Sequence, residues 1–421
     1  MKQLYLLLLV CLTFLLNGCR EDPKPDTQPK EVRQMIIIYA VNHNNLSSDL
    51  VANENQMLQA MGNIDADVYK LLVYKYTSNG PGLYEVRNSN GKCEFTLLKQ
   101  YDESTLSVSK ERISEVLEDA LDYYPDVESN LFFWGHGLGW VNPNKYSNNP
   151  VNSPMKSFSE NSPKEDYISV TLPEVYGYGG EYVYEDGVRV RVDYLDLDQL
   201  AEAVPDHKFD MIWFDCCYMS GIEVAYQLRN KCETFVAYPT EIMAEGLPYD
   251  KIIPKIIGSS PDRVGAARAL YEYYIGKSTP ESVSVAVMDM SRIEDVAEAA
   301  RNIFMSGKNR PSEGGLQNYS RLRSTPYYDF GQYLREYADA NSDASSKETT
   351  EILKERLKSA LDNFVVFSAA SEKDFNYPVA KPIVKENFSG LSIHNFEDLN
   401  SQRDDYYRKL DWYGRVWNMK E

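Results

Sequence analysis

Histidine and cysteine are scarce in this chain: 421 residues hold four of the first and six of the second. The four histidines form no H-E-x-x-H pair and the cysteines no C-x-x-C pair, which excludes the zinc enzymes built on those spacings. A small disulfide-stapled scaffold is excluded as well. No Gly-x-Ser-x-Gly occurs, so a nucleophile-elbow serine hydrolase is disfavoured. Cationic side chains are in deficit, with 44 Lys and Arg against 63 Asp and Glu, a net charge of −19. Such a surface repels phosphate backbones and attracts cations, so nucleic acid is not an expected partner. The chain has no internal repeat. Its long apolar run, Leu4 to Leu16, is well short of the roughly 20 residues a membrane-spanning helix needs.

What is present describes a folded chain with an exported leader. Hydrophobic residues at 43% and charged residues at 25%, with 32 Tyr, 15 Phe and 5 Trp, exclude general disorder. The length exceeds the roughly 250 to 300 residues at which one core stops growing, so one large α/β unit with an appendage, or two packed units, is expected. Met1 and Lys2 precede the apolar run, which ends in Leu16-Asn17-Gly18-Cys19. That ending resembles a bacterial lipobox, implying a signal peptide over 1–18 and a lipidated Cys19 that anchors the chain to a membrane. An outer-membrane or cell-surface location is expected. The Pro- and charge-rich stretch after Cys19, over 19–32, reads as a tether. Five cysteines remain from Cys19 onward, and lipid accounts for one. A bridge between the neighbours Cys216 and Cys217 would be strained, and a Cys93–Cys232 pair is left open.

Strands alternate with helices along most of the remainder. Met35 to Val41 is a continuous apolar run, as in a strand buried on both faces. Val68 to Tyr76 is a second strand, and Asn90-Gly91 marks a hairpin between Leu83–Arg87 and Cys93–Gln100. A helix is predicted over Lys110–Tyr123, then a strand Asn130–Trp134. From 141 to 191 the composition turns to Asn, Ser, Pro, Gly and Tyr, which predicts a long insertion loop. A short helix near Leu197–Val204, the strand Phe209–Phe214 and a helix over Met219–Asn230 follow. Further pairs are Thr234–Tyr238 with Asp262–Tyr274, and Val283–Met288 with Ile293–Met305. This alternation predicts a doubly wound, mostly parallel sheet with helices on both faces, over 33–305. Helices near Tyr328–Ala338 and Lys347–Ala360 and a strand Phe364–Ser368 predict a C-terminal helical or α+β extension, 306–421, packed on that core.

Two predicted strands end in reactive residue types. One runs into Gly135-His136-Gly137, the other into Asp215-Cys216-Cys217. If the strands are parallel and adjacent, right-handed crossover puts both tips at the carboxyl edge, where open α/β sheets bind ligands. His136 and Cys217 then meet despite their separation in sequence. A helix starting near Met219 would favour a Cys217 thiolate, and the backbone N–H groups of Gly137 and Cys217 are candidates for an oxyanion hole.

These residues resemble the paired motifs of clostripain-type cysteine peptidases of the caspase-like clan. Gly135-His136-Gly137 is similar to the histidine motif, and Asp215-Cys216-Cys217-Tyr218-Met219 to a motif written Asp-Ala-Cys-Leu-Met. Tyr39 to Leu46, Gly390-Leu391-Ser392-Ile393 and Trp417 resemble further family segments. The resemblance implies a His136–Cys217 dyad that cleaves peptide bonds through an acyl-enzyme, with no cofactor required. Motif register and helix proximity favour Cys217 over Cys216. The family's preference for cleavage after Arg or Lys implies a pocket carboxylate: Asp215 matches the family position, and Glu241 and Glu245 are further candidates. Asp215 is also a candidate helix cap. Self-cleavage in the insertion, after Lys145, Lys156, Lys164, Arg189 or Arg191, is implied too. The run Asp193 to Asp198 clusters carboxylates that could bind Ca²⁺, though it matches no EF-hand spacing. The expected partners are peptides with basic residues and, through Cys19, a membrane; a monomer is expected. The competing reading is an inactive surface lipoprotein of the same fold that binds peptides or glycans.

Overall fold

In the computed structural model, residues 30–141, 178–277, 282–320, 327–373, 382–396 and 402–417 are described. The expected signal peptide, Cys19 and most of the tether lie outside them, as do Lys145, Lys156 and Lys164. In chain order the elements are β1 (Gln34–Ala40), α1 (Ser47–Met61), β2 (Tyr69–Thr77), β3 (Gly80–Ser89), β4 (Lys92–Gln100), α2 (Lys110–Tyr123), β5 (Glu128–Trp134), β6 (Tyr178–Glu185), β7 (Val188–Leu195) and α3 (Leu197–Ala203). There follow β8 (Phe209–Asp215), α4 (Ile222–Gln227), β9 (Cys232–Ala237), α5 (Tyr249–Ile256), α6 (Arg263–Ile275), β10 (Ser284–Asp289) and α7 (Ile293–Phe304). The last are β11 (Tyr328–Asp329), α8 (Phe330–Ala340), α9 (Lys347–Phe364), β12 (Val365–Ala370), β13 (Ser392–Ile393), α10 (Gln402–Tyr407) and α11 (Asp411–Val416).

Among the described residues nine strands form one sheet, in the order β12-β10-β9-β8-β5-β1-β2-β3-β4. The centre, from β9 to β2, is parallel. Both flanks are antiparallel: β10 and β12 at one side, β3 and β4 at the other. Every residue of β1 is buried, because alternate side chains feed two cores. Met35, Ile37 and Tyr39 join the core beneath α2, α4, α7, α8 and α11. Ile36, Ile38 and Ala40 join the one beneath α1, α5 and α6. The doubly wound, caspase-like sheet is therefore as expected.

Four details depart from the sequence reading. The expected insertion loop ends in the hairpin β6–β7, so Arg189 and Arg191 are strand residues, opposite Tyr184 and Val183. The helix after β8 begins at Ile222 rather than Met219, because Tyr218 turns the chain through a left-handed conformation (φ 59°) and Gly221 is extended. The segment after 305 supplies β12 to the central sheet, and Val32–Glu421 forms one compact unit. Helices α1 and α5 had no counterpart in the sequence reading. In α1 the buried face is Leu50, Asn53, Met57, Ala60 and Met61; a buried asparagine interrupts the apolar stripe that would have betrayed it.

All four described cysteines are free. Cys93 lies on β4 and Cys232 on β9, six strands apart, roughly 29 Å at the usual strand spacing, so they form no bridge. In the Asp193–Asp198 run two carboxylates already have protein partners. Arg191 engages Asp193, Asp198 accepts the Tyr406 hydroxyl at 3.1 Å, and no metal-holding group of three His, Cys, Asp or Glu exists among the described residues.

Candidate active site

The tips of β5 and β8 are neighbours. Their last paired residues are Trp134 and Asp215, so His136 and Cys217 each stand two positions beyond the same rung. Beyond that rung the two chains stay in contact. A Cβ on Gly137 would lie 2.5 Å from the Cys217 carbonyl oxygen and 2.9 Å from the Cys216 Cβ. Only glycine permits this approach. His136 and Cys217 are therefore brought together as the strand patterns required, and the backbones at Gly137 and Cys217 adjoin.

The turn carrying Cys217 is braced from two sides. On one, the Tyr218 N–H donates to the Thr240 carbonyl at 2.9 Å and the Ser220 N–H to the Tyr238 carbonyl at 2.9 Å. On the other, the Ser220 hydroxyl donates to the Gly390 carbonyl at 2.7 Å and the Ser392 N–H to the Ser220 carbonyl at 2.9 Å. This bracing holds a non-glycine residue at positive φ, a conformation that costs about 1 to 3 kcal/mol and concentrates at functional sites. The expected helix-dipole activation of Cys217 is not supported, since α4 starts five residues away and has only six residues. The thiol instead meets the loop after β9, where the Ile242 N–H points at Cys217 Sγ from 3.4 Å.

The two neighbouring thiols differ sharply. Cys216 is fully buried, donates to the Phe133 carbonyl at 3.3 Å, and burial pushes its pKa well above the ordinary thiol value. Cys217 retains 7% exposure and His136 3%, so both are nearly enclosed. Burial pulls the His136 pKa down to about 3, and the imidazole is neutral at physiological pH. Its Nε2 lies 2.8 Å from Asn45 Oδ1. Asn45 was missed as a site residue, although it falls in the Tyr39–Leu46 segment. The available signal was topological: the loop after β1 lies beside the tip of the adjacent strand β5.

Asp215 is buried below the same tips. Its Oδ2 accepts from the Tyr249 hydroxyl at 2.9 Å and the Leu247 N–H at 3.2 Å, while Oδ1 is buried without a hydrogen-bond partner. Burial raises its pKa to about 6. It does not cap a helix, because Gly221 is the cap of α4. Gly246 closes over it, and any side chain there would come within 2.8 Å of Oδ2. Glu241 is buried beside Ile242. Glu245 contributes no open charge: its carboxylate is held by Lys277 and Tyr273 of the α6 end.

A caspase-like sheet with these tips belongs to a cysteine-type peptidase. The match to known families makes this specific. Residues 189–418, more than half of the chain, match the clostripain family, and the chain belongs to it. Two solved structures are similar along their whole length. One is a C11 protease from Parabacteroides distasonis described as an inactive zymogen (22% identity, 92% of this chain and 99% of that one, TM-score 0.71). The other is a secreted C11 cysteine protease from Bacteroides thetaiotaomicron with an irreversible peptide inhibitor (23% identity, 91% and 99%, TM-score 0.70). At this identity they establish the shared fold. No curated protein matches the chain by sequence.

Proposed function

We propose that the protein is an endopeptidase in which Cys217 attacks the scissile carbonyl, His136 protonates the leaving amine, and Asp215 selects Arg or Lys at the residue before the cut. The carrying observation is that His136 and Cys217 each stand two positions beyond the same last rung of β5 and β8, above a buried carboxylate with an unused oxygen. An unpaired buried carboxylate is costly, and a substrate guanidinium or ammonium would relieve that cost. Thiol and imidazole supply nucleophile and acid, so this reading requires no cofactor. The backbone N–H groups of Gly137 and Cys217 receive the oxyanion. Labelling with an Arg- or Lys-directed acyloxymethyl ketone tests nucleophile and pocket together. Labelling is expected in wild type and in Cys216→Ala, and none in Cys217→Ala. Absence of label in all three would favour the peptide- or glycan-binding reading.

Self-processing belongs to the same proposal. Arg189 and Arg191 sit within the paired hairpin, where no extended substrate strand is free, so the cut is assigned to Lys145, Lys156 or Lys164. The nearly enclosed dyad and the zymogen state described for the Parabacteroides protein support a processing step. Intact mass unchanged in active wild type and in Cys217→Ala alike would end this part. We further propose that the chain acts as a monomer, held at a bacterial surface by lipid on Cys19.

A further inference from the structure

We propose that Asn45 is a positioning residue that sets the tautomer of His136, and that hairpin β6–β7 holds Asn45 in place through Tyr182. This rests on the reading of His136 and Cys217 as the reacting pair. Asn45 Oδ1 lies 2.8 Å from His136 Nε2 and also accepts the Tyr182 hydroxyl at 3.3 Å. An amide oxygen has two lone pairs and no proton to give. Nε2 therefore carries the hydrogen, and Nδ1 carries the lone pair that takes up the thiol proton.

The surrounding contacts fix this geometry from three directions. The Asn44 amide donates to the carbonyls of Val41 at 3.0 Å and of Gly179 and Gly180 at 3.1 Å each, and its oxygen receives the Leu46 N–H at 2.9 Å. The Gly179 N–H donates to the His136 carbonyl at 3.1 Å, and the Tyr182 N–H to the His43 carbonyl at 2.9 Å. His43 itself is clamped against Tyr76, with ring centroids 4.2 Å apart. The loop after β1, the start of the hairpin and the backbone of His136 are thus one hydrogen-bonded unit. Asn45 lies between Asn44 and Leu46 of this unit, so its backbone is held although its side chain is exposed.

The chemistry explains why a tautomer lock matters. The thiol proton passes to Nδ1 as the sulfur electron pair forms the S–C bond to the substrate carbonyl. The C–N bond then breaks, and the Nδ1 proton leaves on the amine. Throughout, the Nε2–H to Asn45 bond stays in place. With the opposite tautomer, Nδ1 would already hold a proton and could not start the sequence.

The test compares Asn45→Ala, Asn45→Asp and Tyr182→Phe with wild type on a basic-residue peptide, together with ¹⁵N spectra of histidine-labelled protein. Only four histidines are present, and His136→Gln assigns the relevant signal. Asn45→Ala is expected to lower kcat about 10- to 100-fold with KM nearly unchanged, and its His136 signal to show mixed tautomers. Asn45→Asp restores the acceptor and adds charge, so it recovers most of kcat and moves the imidazole-controlled limb of the pH profile upward by about one unit. Tyr182→Phe removes one donor and loses about 2- to 5-fold. Wild-type kcat and pH profile in a folded Asn45→Ala, or a wild-type His136 protonated at Nδ1, would overturn the proposal. A wild type that cleaves no peptide sinks the dyad reading alone, because the nitrogen spectra still decide the role of Asn45.

Discussion

Two adjacent sulfurs have opposite prospects because their surroundings differ by one residue of the turn after β8. Cys216 points into the core and is bound to the Phe133 carbonyl, whereas Cys217 stands at the tip against Ile242. Cys217→Ala is expected to abolish peptide cleavage, and Cys216→Ala to retain at least about a third of it, as kcat/KM will show. Asp215 adds a pH signature. With its pKa raised to about 6 by burial, Asp215 is charged above that pH and neutral below it, and in the proposed role the pocket follows it. KM for a basic peptide should therefore rise about tenfold per unit as the pH falls below 6. Asp215→Asn should cut kcat/KM for such peptides about 100- to 1,000-fold while flattening that dependence. The positions of His136, Asp215 and Cys217 at neighbouring strand ends were legible in sequence because each follows an apolar strand. Asn45 was not, since asparagine in a polar loop carries no periodic mark.

At the scale of elements, the approach of two strand tips sets a tight geometric limit. Gly137→Ala would force its Cβ against the Cys217 carbonyl, so the tips must separate. A loss of about 2 to 4 kcal/mol in denaturant stability and of at least about 100-fold in activity is expected. Strands were the most legible elements, because five to seven consecutive apolar residues admit few alternatives. Strand direction was not: Val285 and Val287 look alike in either orientation, and only the chain path makes β10 antiparallel. The hairpin β6–β7 escaped notice because its outer half is exposed on both faces, leaving Arg189 and Val190 to alternate without burying anything. The helix after Cys217 starts three residues later than the apolar pattern implies, because the positive φ of Tyr218 has no signature in a tyrosine.

The whole molecule is tied together by a buried carboxyl group. Glu223, on α4, accepts the His394 N–H at 2.9 Å and the Tyr407 hydroxyl at 3.0 Å, joining the Cys217 turn to the last elements of the chain. Burial lifts its pKa from 4.5 to about 7. Between those values the folded protein holds a proton that the unfolded chain has released, so this stabilisation is present at pH 4 and lost as the pH rises through 7. The cost at pH 8 is about 3 kcal/mol. Urea titrations at pH 5 and pH 8 should show it in wild type, and Glu223→Gln should remove that difference.

The brace formed by Gly390 and Ser392 lies 170 residues or more downstream of the serine it supports. During synthesis the turn emerges long before this prop, so a partly made chain holds it only from the side of Tyr238 and Thr240. The second support arrives only once the segment around Gly390 to Ser392 has been made, so the turn reaches its full bracing late in the life of the growing polypeptide.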